Sequence, residues 1–232
     1  MKVEIWSDVV CPWCYVGKRR FETALAAFPH RAEVEVVWRS FELDSCTPPS
    51  PTEGGAYAAR IARKYGRTLE QAQEMVDSMT ATAATEGLDF RFDLARPGNT
   101  FDAHRLLHLA LAHGLQDELK ERLDRGTFSE GLAVSDHTEL RALALEVGLL
   151  AGEIDDVLAS DRYAADVRRD QAQAQAYGIS GVPFFVIDGA VGVSGAQPAE
   201  LIGRALLQAW DQRTPFTVLT GGQACEDDAC AV

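Results

Sequence analysis

Cys11-Pro12-Trp13-Cys14 places two thiols two residues apart, directly behind the alternating run Val3-Glu4-Ile5-Trp6. A pair at this spacing closes a small reversible disulfide and can pass two electrons to or from another protein. That chemistry needs a thiolate nucleophile, a leaving thiolate of low pKa, and access for the partner disulfide. A helix opening at Pro12, a residue tolerated in a first turn, supplies the first condition. Its free N–H groups and partial positive charge stabilise a thiolate beside them. From Cys14 onward, Gly17, Phe21, Ala24, Leu25 and Phe28 recur on one helical face. That stripe buries Cys14 and leaves Cys11 ahead of it, at the exposed end. Cys11 then reads as the attacking thiol. Cys14 can reach only the adjacent mixed disulfide, which makes it the resolving one. The rival use of the spacing is half of a structural zinc site.

A second pair stands in Cys225-Glu226-Asp227-Asp228-Ala229-Cys230. Four intervening residues can close a disulfide loop if the backbone turns. The three carboxylates disfavour thiolates there, whereas the helix end favours one at Cys11. A dithiol at Cys225 and Cys230 would therefore be the more reducing pair and an auxiliary electron source. The alternatives are an acidic tail with incidental thiols, or a zinc site using all four cysteines. Cys46 stands alone and reads as a buried, inert thiol. His104 and His108 are spaced i, i+4, but His-Arg-Leu-Leu-His lacks the Glu of a metalloprotease helix, so no metal is expected. His113 complements a helix dipole. Met75 and Met79 share a helical face and read as core. Asp8 reads either as a proton acceptor for Cys14 or as a plain helix-leading carboxylate. Trp13 reads as exposed beside Cys11, where it could contact clients.

The elements that position these groups follow from periodicity and breakers. A strand covers 2–7, a helix runs from Pro12 to Pro29, and a second, largely buried strand covers 34–39. Thr47-Pro48-Pro49-Ser50-Pro51 marks a boundary. Helices are expected over 53–64, 68–86, 100–113, 115–126, 136–147 and 150–158, with Gly66, Gly87, Gly114 and Gly148 at their C-caps. A further helix at 160–177 leads to Ile179-Ser180-Gly181-Val182-Pro183. Strands at 184–187 and 190–193 flank Asp188-Gly189, a hairpin signal, and a last helix opens near Pro198. This order implies an α/β fold with a mixed sheet flanked by helices. Residues 1–50 and 159–212 would form that unit, 51–158 an inserted all-helical domain capping the same site, and 213–232 an acidic tail.

A chain of 232 residues that is 47% hydrophobic and 25% charged suits a soluble globular protein whose core does not depend on disulfide staples. Five cysteines, an odd number in clustered pairs, read as redox-active or metal-binding rather than as a secreted framework. A net charge of −13 argues against nucleic acid and against anionic membranes as partners. Met1-Lys2 leads straight into a strand, without a signal peptide, and no run approaches the length of a transmembrane span. The cytoplasm is the compartment expected.

Three motifs in order, Ser7-Asp8-Val9-Val10-Cys11-Pro12-Trp13-Cys14, Asn99-Thr100-Phe101-Asp102-Ala103-His104-Arg105 and Ser180-Gly181-Val182-Pro183-Phe184-Phe185-Val186, resemble the thioredoxin superfamily over about residues 1–212. The resemblance is to its DsbA-like branch with an inserted helical domain, and within that to FrnE-type proteins. It implies a thioredoxin fold, a protein disulfide oxidoreductase or isomerase without cofactor, attack by Cys11 and resolution by Cys14. It also implies a cis bond before Pro183, which faces the cysteine pair, and His104 and Arg105 on a helix facing the site. Pro12, Trp13, Val182, Pro183 and His104 would then touch substrate. The partners implied are client proteins with disulfides, with glutathione or another small thiol as a further one.

Strongly oxidising relatives carry His where this chain has Trp13, so an extreme oxidant is not implied. A site near about −120 mV would lie roughly 100 mV above a cytosolic glutathione pool, about 4–5 kcal/mol toward its reduced form. The reductase or isomerase direction is therefore favoured. Kappa-type glutathione transferases and hydroxychromene-carboxylate isomerases share the inserted architecture, but carry Ser where this chain has Cys11. A non-catalytic peptide-binding chaperone is the other alternative.

Overall fold

The computed structural model describes residues 1–48 and 57–213. Cys225, Cys230 and residues 53–56, where the first intervening helix is expected to open, lie outside the described residues. Strands β1 (Lys2–Ser7), β2 (Glu35–Ser40), β3 (Phe184–Ile187) and β4 (Val191–Ser194) form one sheet in the order β2-β1-β3-β4. β1 runs parallel to β2 and antiparallel to β3, with Ile5 opposite both Trp38 and Phe185. β3 and β4 close a hairpin at Asp188 (φ 47°) and Gly189 (φ 66°), two left-handed residues of the kind an Asp-Gly turn provides.

Two helices cover one face of the sheet. α1 (Pro12–Ala27) brings Phe21 and Ala24, and α9 (Ala199–Asp211) brings Ile202, Leu206 and Ala209, onto Val3, Ile5, Phe185 and Ile187. Each large side chain buried here contributes about 1.5–3 kcal/mol. Helix α1 stops at Ala27, short of Pro29, because the residue before a proline resists helical ψ. The other face carries Trp6 and Val186 against α8 (Ala164–Ala176), and Trp6 Nε1 donates to the Asp170 carbonyl at 2.9 Å.

Between β2 and α8 lie α2 (Tyr57–Tyr65), α3 (Leu69–Thr85), α4 (Phe101–Ala112), α5 (Gln116–Arg125), α6 (His137–Glu146) and α7 (Ala151–Ala159). Thr68 and Gln71 form a reciprocal capping box on α3, and Asp136 caps α6. α8 opens later than periodicity suggests. Arg105 of α4 takes the carbonyls of Val157, Ser160 and Arg162, which holds the chain in a turn before Ala164.

β2 is an edge strand and partly buried: Glu35 is exposed, Val36 and Arg39 are half-buried, and Val37, Trp38 and Ser40 are buried. The side chain of Gln116 on α5 covers that edge. Its Oε1 accepts from Trp38 N–H and its Nε2 donates to Trp38 C=O, both at 2.9 Å, in place of another strand. α5 also grips α1. Lys18, almost fully buried, pairs with Glu22, Asp117 and Glu121; Tyr15 donates to Glu121 at 2.7 Å; Arg19 pairs with Glu121 as well.

Candidate active site

Cys11 is the N-cap of α1, in extended conformation, with Pro12 in the first turn and Cys14 N–H bonded to its carbonyl at 2.9 Å. Its thiol donates toward the Val182 carbonyl at 3.6 Å, and the Val182–Pro183 bond is cis. Pro183 also meets α1: a Cβ built on Gly17 would lie 2.8 Å from Pro183 Cγ. Only glycine lets the proline turn approach the helix one turn beyond Cys14. Cys14 is 0% exposed. Burial first, then the hydrogen bond and charge of Cys11, push its thiol well above the ordinary value, while the Lys120 ammonium and Ser7 hydroxyl pull it down.

Helical periodicity assigns Cys11 to the exposed end, but the structure leaves it only 5% exposed. Periodicity reports a helix face and says nothing of what other elements cover it. Here the Gly181-Val182 turn and the α2–α3 pair rise around the thiol. They enclose a cavity of about 710 Å³ that still admits a partner to Cys11. Tyr57, Ile61, Val76, Met79 and Phe92 supply its apolar surface, and Trp13, 46% exposed, stands on its rim.

A family profile for the DSBA-like thioredoxin domain matches residues 2–207. The chain belongs to that family. It is similar to an uncharacterized protein of Bacillus subtilis (strain 168), YwbO, at 30% identity over 88% of this chain and 94% of the relative. It is similar in structure to a probable DsbA oxidoreductase from Streptomyces coelicolor, with TM-score 0.87 and 49% identity over 100% of this chain and 99% of that one. A cytosolic disulfide reductase of Pseudomonas aeruginosa, DsbM, in a structure with GSH, shares the fold at TM-score 0.59 and 16% identity, covering 91% of this chain and 95% of that one. The thioredoxin fold with inserted helices, expected from the three motifs, is the fold of this DsbA-like protein. Among the described residues no helix is long and apolar enough to cross a membrane.

Two groups around the dithiol of this DsbA-like chain escape a motif reading. Lys120 and Asp124 on α5 form a buried ion pair beneath Cys14, 1% and 0% exposed by side chain, with Lys120 Nζ lying 5.2 Å from the Trp38 ring centroid. Burial pushes the Asp124 carboxyl up to about 6 against the pull of Lys120. The signal in the sequence was a Lys and an Asp, i, i+4, sharing the face of Leu119 and Leu123. Tyr57 is the second group. Its ring stacks on Phe92 with centroids 4.5 Å apart. Burial first, then the charge of Cys11, raise its hydroxyl pKa, and both residues line the same cavity.

The remaining candidates fall into place differently. Asp8 is buried and engaged: its Oδ2 accepts Leu43 N–H at 2.8 Å and its carbonyl accepts Cys11 N–H at 3.2 Å. His104, expected to touch substrate, is buried with Nε2 3.4 Å from Asp8 Oδ1, and lies behind the site rather than on the cavity wall. His108 pairs with Asp170 at 3.0 Å, which also binds Arg39 and Ser40 N–H. Burial opposes the charge on Asp170, yet His108, Ser40 and Arg39 hold its carboxyl below the usual range. His113 pairs with Glu153 at 2.8 Å. Cys46 is exposed, not buried, because it sits on a surface turn where Asp44 accepts its N–H at 3.2 Å. Met75 is exposed on the cavity, so only Met79 of that pair is core. Among the described residues no three or more His, Cys, Asp or Glu side chains are grouped to hold a metal ion.

Proposed function

We propose that this DsbA-like protein, of FrnE type, works in the cytoplasm as a thiol–disulfide oxidoreductase in the reductase or isomerase direction, on client proteins with disulfides. One observation carries the reading: Cys11 opens on a cavity, and Cys14 lies fully buried one step behind it. The Cys11 thiolate attacks one client sulfur. A Cys11–client S–S bond forms as the client S–S breaks, and the departing client thiolate takes up a proton. Cys14 then loses its proton and attacks Cys11 Sγ. The second client thiolate leaves and is protonated in turn. The client has gained two electrons and two protons, and Cys11–Cys14 is a disulfide. If a different client thiolate attacks the client sulfur of the mixed disulfide instead, a new client S–S bond forms, Cys11 leaves as the thiolate, and the client is isomerised without net electron flow.

Lys120 supports the second step, because a cation in a poorly solvated interior stabilises the Cys14 thiolate as it forms. Pro12, Trp13, Val182 and Pro183 border the incoming segment, and His104 acts on it only through Asp8. A dithiol, or two equivalents of a small thiol such as glutathione, resets the pair. Cys225 and Cys230 are one candidate internal source, and a Cys14→Ser variant should then accumulate a disulfide from Cys11 to one of them. The fold is shared with a cytosolic disulfide reductase and so accommodates this direction. Retention of a thiol at Cys14 favours dithiol chemistry over glutathione-dependent isomerases and transferases, which need no resolving thiol.

The test is dithiol-driven insulin reduction. Wild type should accelerate it, Cys11→Ser should not, and Cys14→Ser should trap mixed disulfides. Full activity in Cys11→Ser would overturn the assignment.

A further inference from the structure

The chain carries 35 acidic against 22 basic residues, yet from Tyr57 through Leu69 there is no acid, while Arg60, Arg63, Lys64 and Arg67 all fall there. Elsewhere the arginines are mostly engaged with carboxylates, as in Arg20–Glu86, Arg96–Glu139, Arg122–Glu130 and Arg141–Asp155. Among the described residues, Arg60, Lys64 and Arg67 have no carboxylate within ion-pair distance. All three line the cavity that Cys11 opens on. Arg60 and Lys64 are one turn apart on α2, one turn beyond Tyr57, so they share its face. The acids on the same cavity are Asp8, Asp44 and Glu74. Asp8 is bonded to Leu43 N–H and Asp44 to Cys46 N–H, and among the described residues Glu74 has no hydrogen-bond partner.

We propose that Arg60, Lys64 and Arg67 are specificity determinants which select polypeptide disulfides carrying carboxylates beside their cysteine. The inference rests on the redox reading above and names its substrate class. A segment whose sulfur meets Cys11 near the Val182 carbonyl lays its neighbouring residues across Tyr57, Ile61 and Met79 toward the α2 cations. The cavity of about 710 Å³ lies in the upper half of the usual range for ligand sites and has room for a few residues of extended chain. Partly solvated charges each add little affinity, but three of one sign, unpaired, discriminate strongly against like charge and steer encounter. The preference is local, because it opposes the net charge of −13.

The experiment uses the full chain and short peptides of equal length with a central cysteine or serine flanked by Glu, Gln or Lys. Serine peptides report binding by fluorescence anisotropy, and cysteine peptides, as disulfide dimers, report kcat/KM for reduction. The expected result is a preference of about tenfold or more for Glu over Lys flanks at low salt, narrowing at about 0.5 M salt, where screening acts within about 4 Å or less. Arg60→Glu/Lys64→Glu/Arg67→Glu should abolish or invert it. Arg60→Gln/Lys64→Gln, a milder change should the reversal not fold, should remove a large part of it. Arg204→Glu, at an exposed arginine on α9 that has no carboxylate partner among the described residues, should preserve it.

No preference in wild type, or one that survives both sets of substitutions, overturns the proposal. So does a preference confined to glutathione disulfide over cystamine and absent from the peptides, which would assign the cations to a small anionic disulfide. Preferential binding of Glu peptides without reduction of any disulfide would retain the recognition surface and refute the redox reading instead.

Discussion

Replacing Lys120 with methionine isolates what the buried cation does beneath Cys14. In the wild type, burial raises the Asp124 carboxyl to about 6. A raised acid binds its proton more tightly in the folded state, so this group's contribution to stability falls as pH climbs from about 4 to about 6. A shift of roughly two units corresponds to about 3 kcal/mol. Above that window the ionised carboxylate depends chiefly on Lys120, with a lesser pull from Lys18. Lys120→Met then leaves a buried charge without its partner, at a cost of about 3–5 kcal/mol at pH 8. With a urea m-value of about 2–3 kcal/mol/M, the unfolding midpoint should drop by about 1–2 M. At pH 5 Asp124 is neutral in both proteins, and the variant has only exchanged an unpartnered ammonium for a thioether. The penalty there should fall to within about 1 kcal/mol of zero, or change sign. Lys120→Met/Asp124→Leu should recover most of the loss at pH 8. In the same variants the Cys14 thiol loses its nearby cation, so mixed disulfides trapped on Cys11 should live longer in a quenched-flow assay. A penalty equal at pH 5 and pH 8 would refute the reasoning, since the deficit would then be one of packing and not of charge.

Gly17→Ala should lower both insulin reduction and the melting temperature, since the added methyl meets Pro183 Cγ at 2.8 Å. Overpacking of that kind costs about 1–3 kcal/mol, and unchanged activity and melting would show that the proline turn yields freely. Under native conditions iodoacetamide should label Cys46 rapidly and Cys14 only after unfolding, as peptide mapping can read, because one thiol is exposed and the other wholly buried. Equal labelling of the two would contradict the described burial. Asp170→Asn should cost about 1–3 kcal/mol at pH 7 by removing the carboxylate that His108 and Ser40 N–H share, while Arg39 keeps Glu4 as its other partner. Because the Asp170 carboxyl is held below its ordinary value, its stabilisation is present above about pH 4 and fades as pH falls through the folded value. The deficit of the variant should therefore shrink on acidification, and a denaturation series that shows it constant would exclude an electrostatic origin.

What the chain made legible was what is local. The strand before Cys11, the helix opening at Pro12, the Asp188-Gly189 hairpin and the glycines after successive helices each declare themselves within a few residues, because turn chemistry and helical period act at short range. The contacts that tune the dithiol are long-range. Lys120 comes to Cys14 from 106 positions away and Tyr57 to Cys11 from 46 (120 − 14 and 57 − 11). Periodicity marks a buried face on α5 without saying which helix it will meet. For the same reason the burial of Cys11 was missed, since its cover is supplied by α2, α3 and the Val182 turn. Cys46 departs in the opposite sense: free cysteines are usually buried, but this one lies exposed on a turn beyond Ser40, the last paired residue of an edge strand.

The grip of α5 on α1 bears on how such a protein can be re-engineered. Lys18 is charged and nearly inaccessible, and two of its three carboxylate partners belong to α5. Excising the intervening helices, or exchanging them for those of a relative, would leave that ammonium with Glu22 in place of three carboxylates, in the wall of the helix that begins at Pro12. It would also uncover the β2 edge that Gln116 seals. A viable chimera has to cut elsewhere, carrying α1, α5 and the thiols between one protein and another as a single heritable cassette. Client choice and electron chemistry would then move together, and grafting a new recognition surface onto an old dithiol would require rebuilding the Lys18 seam first.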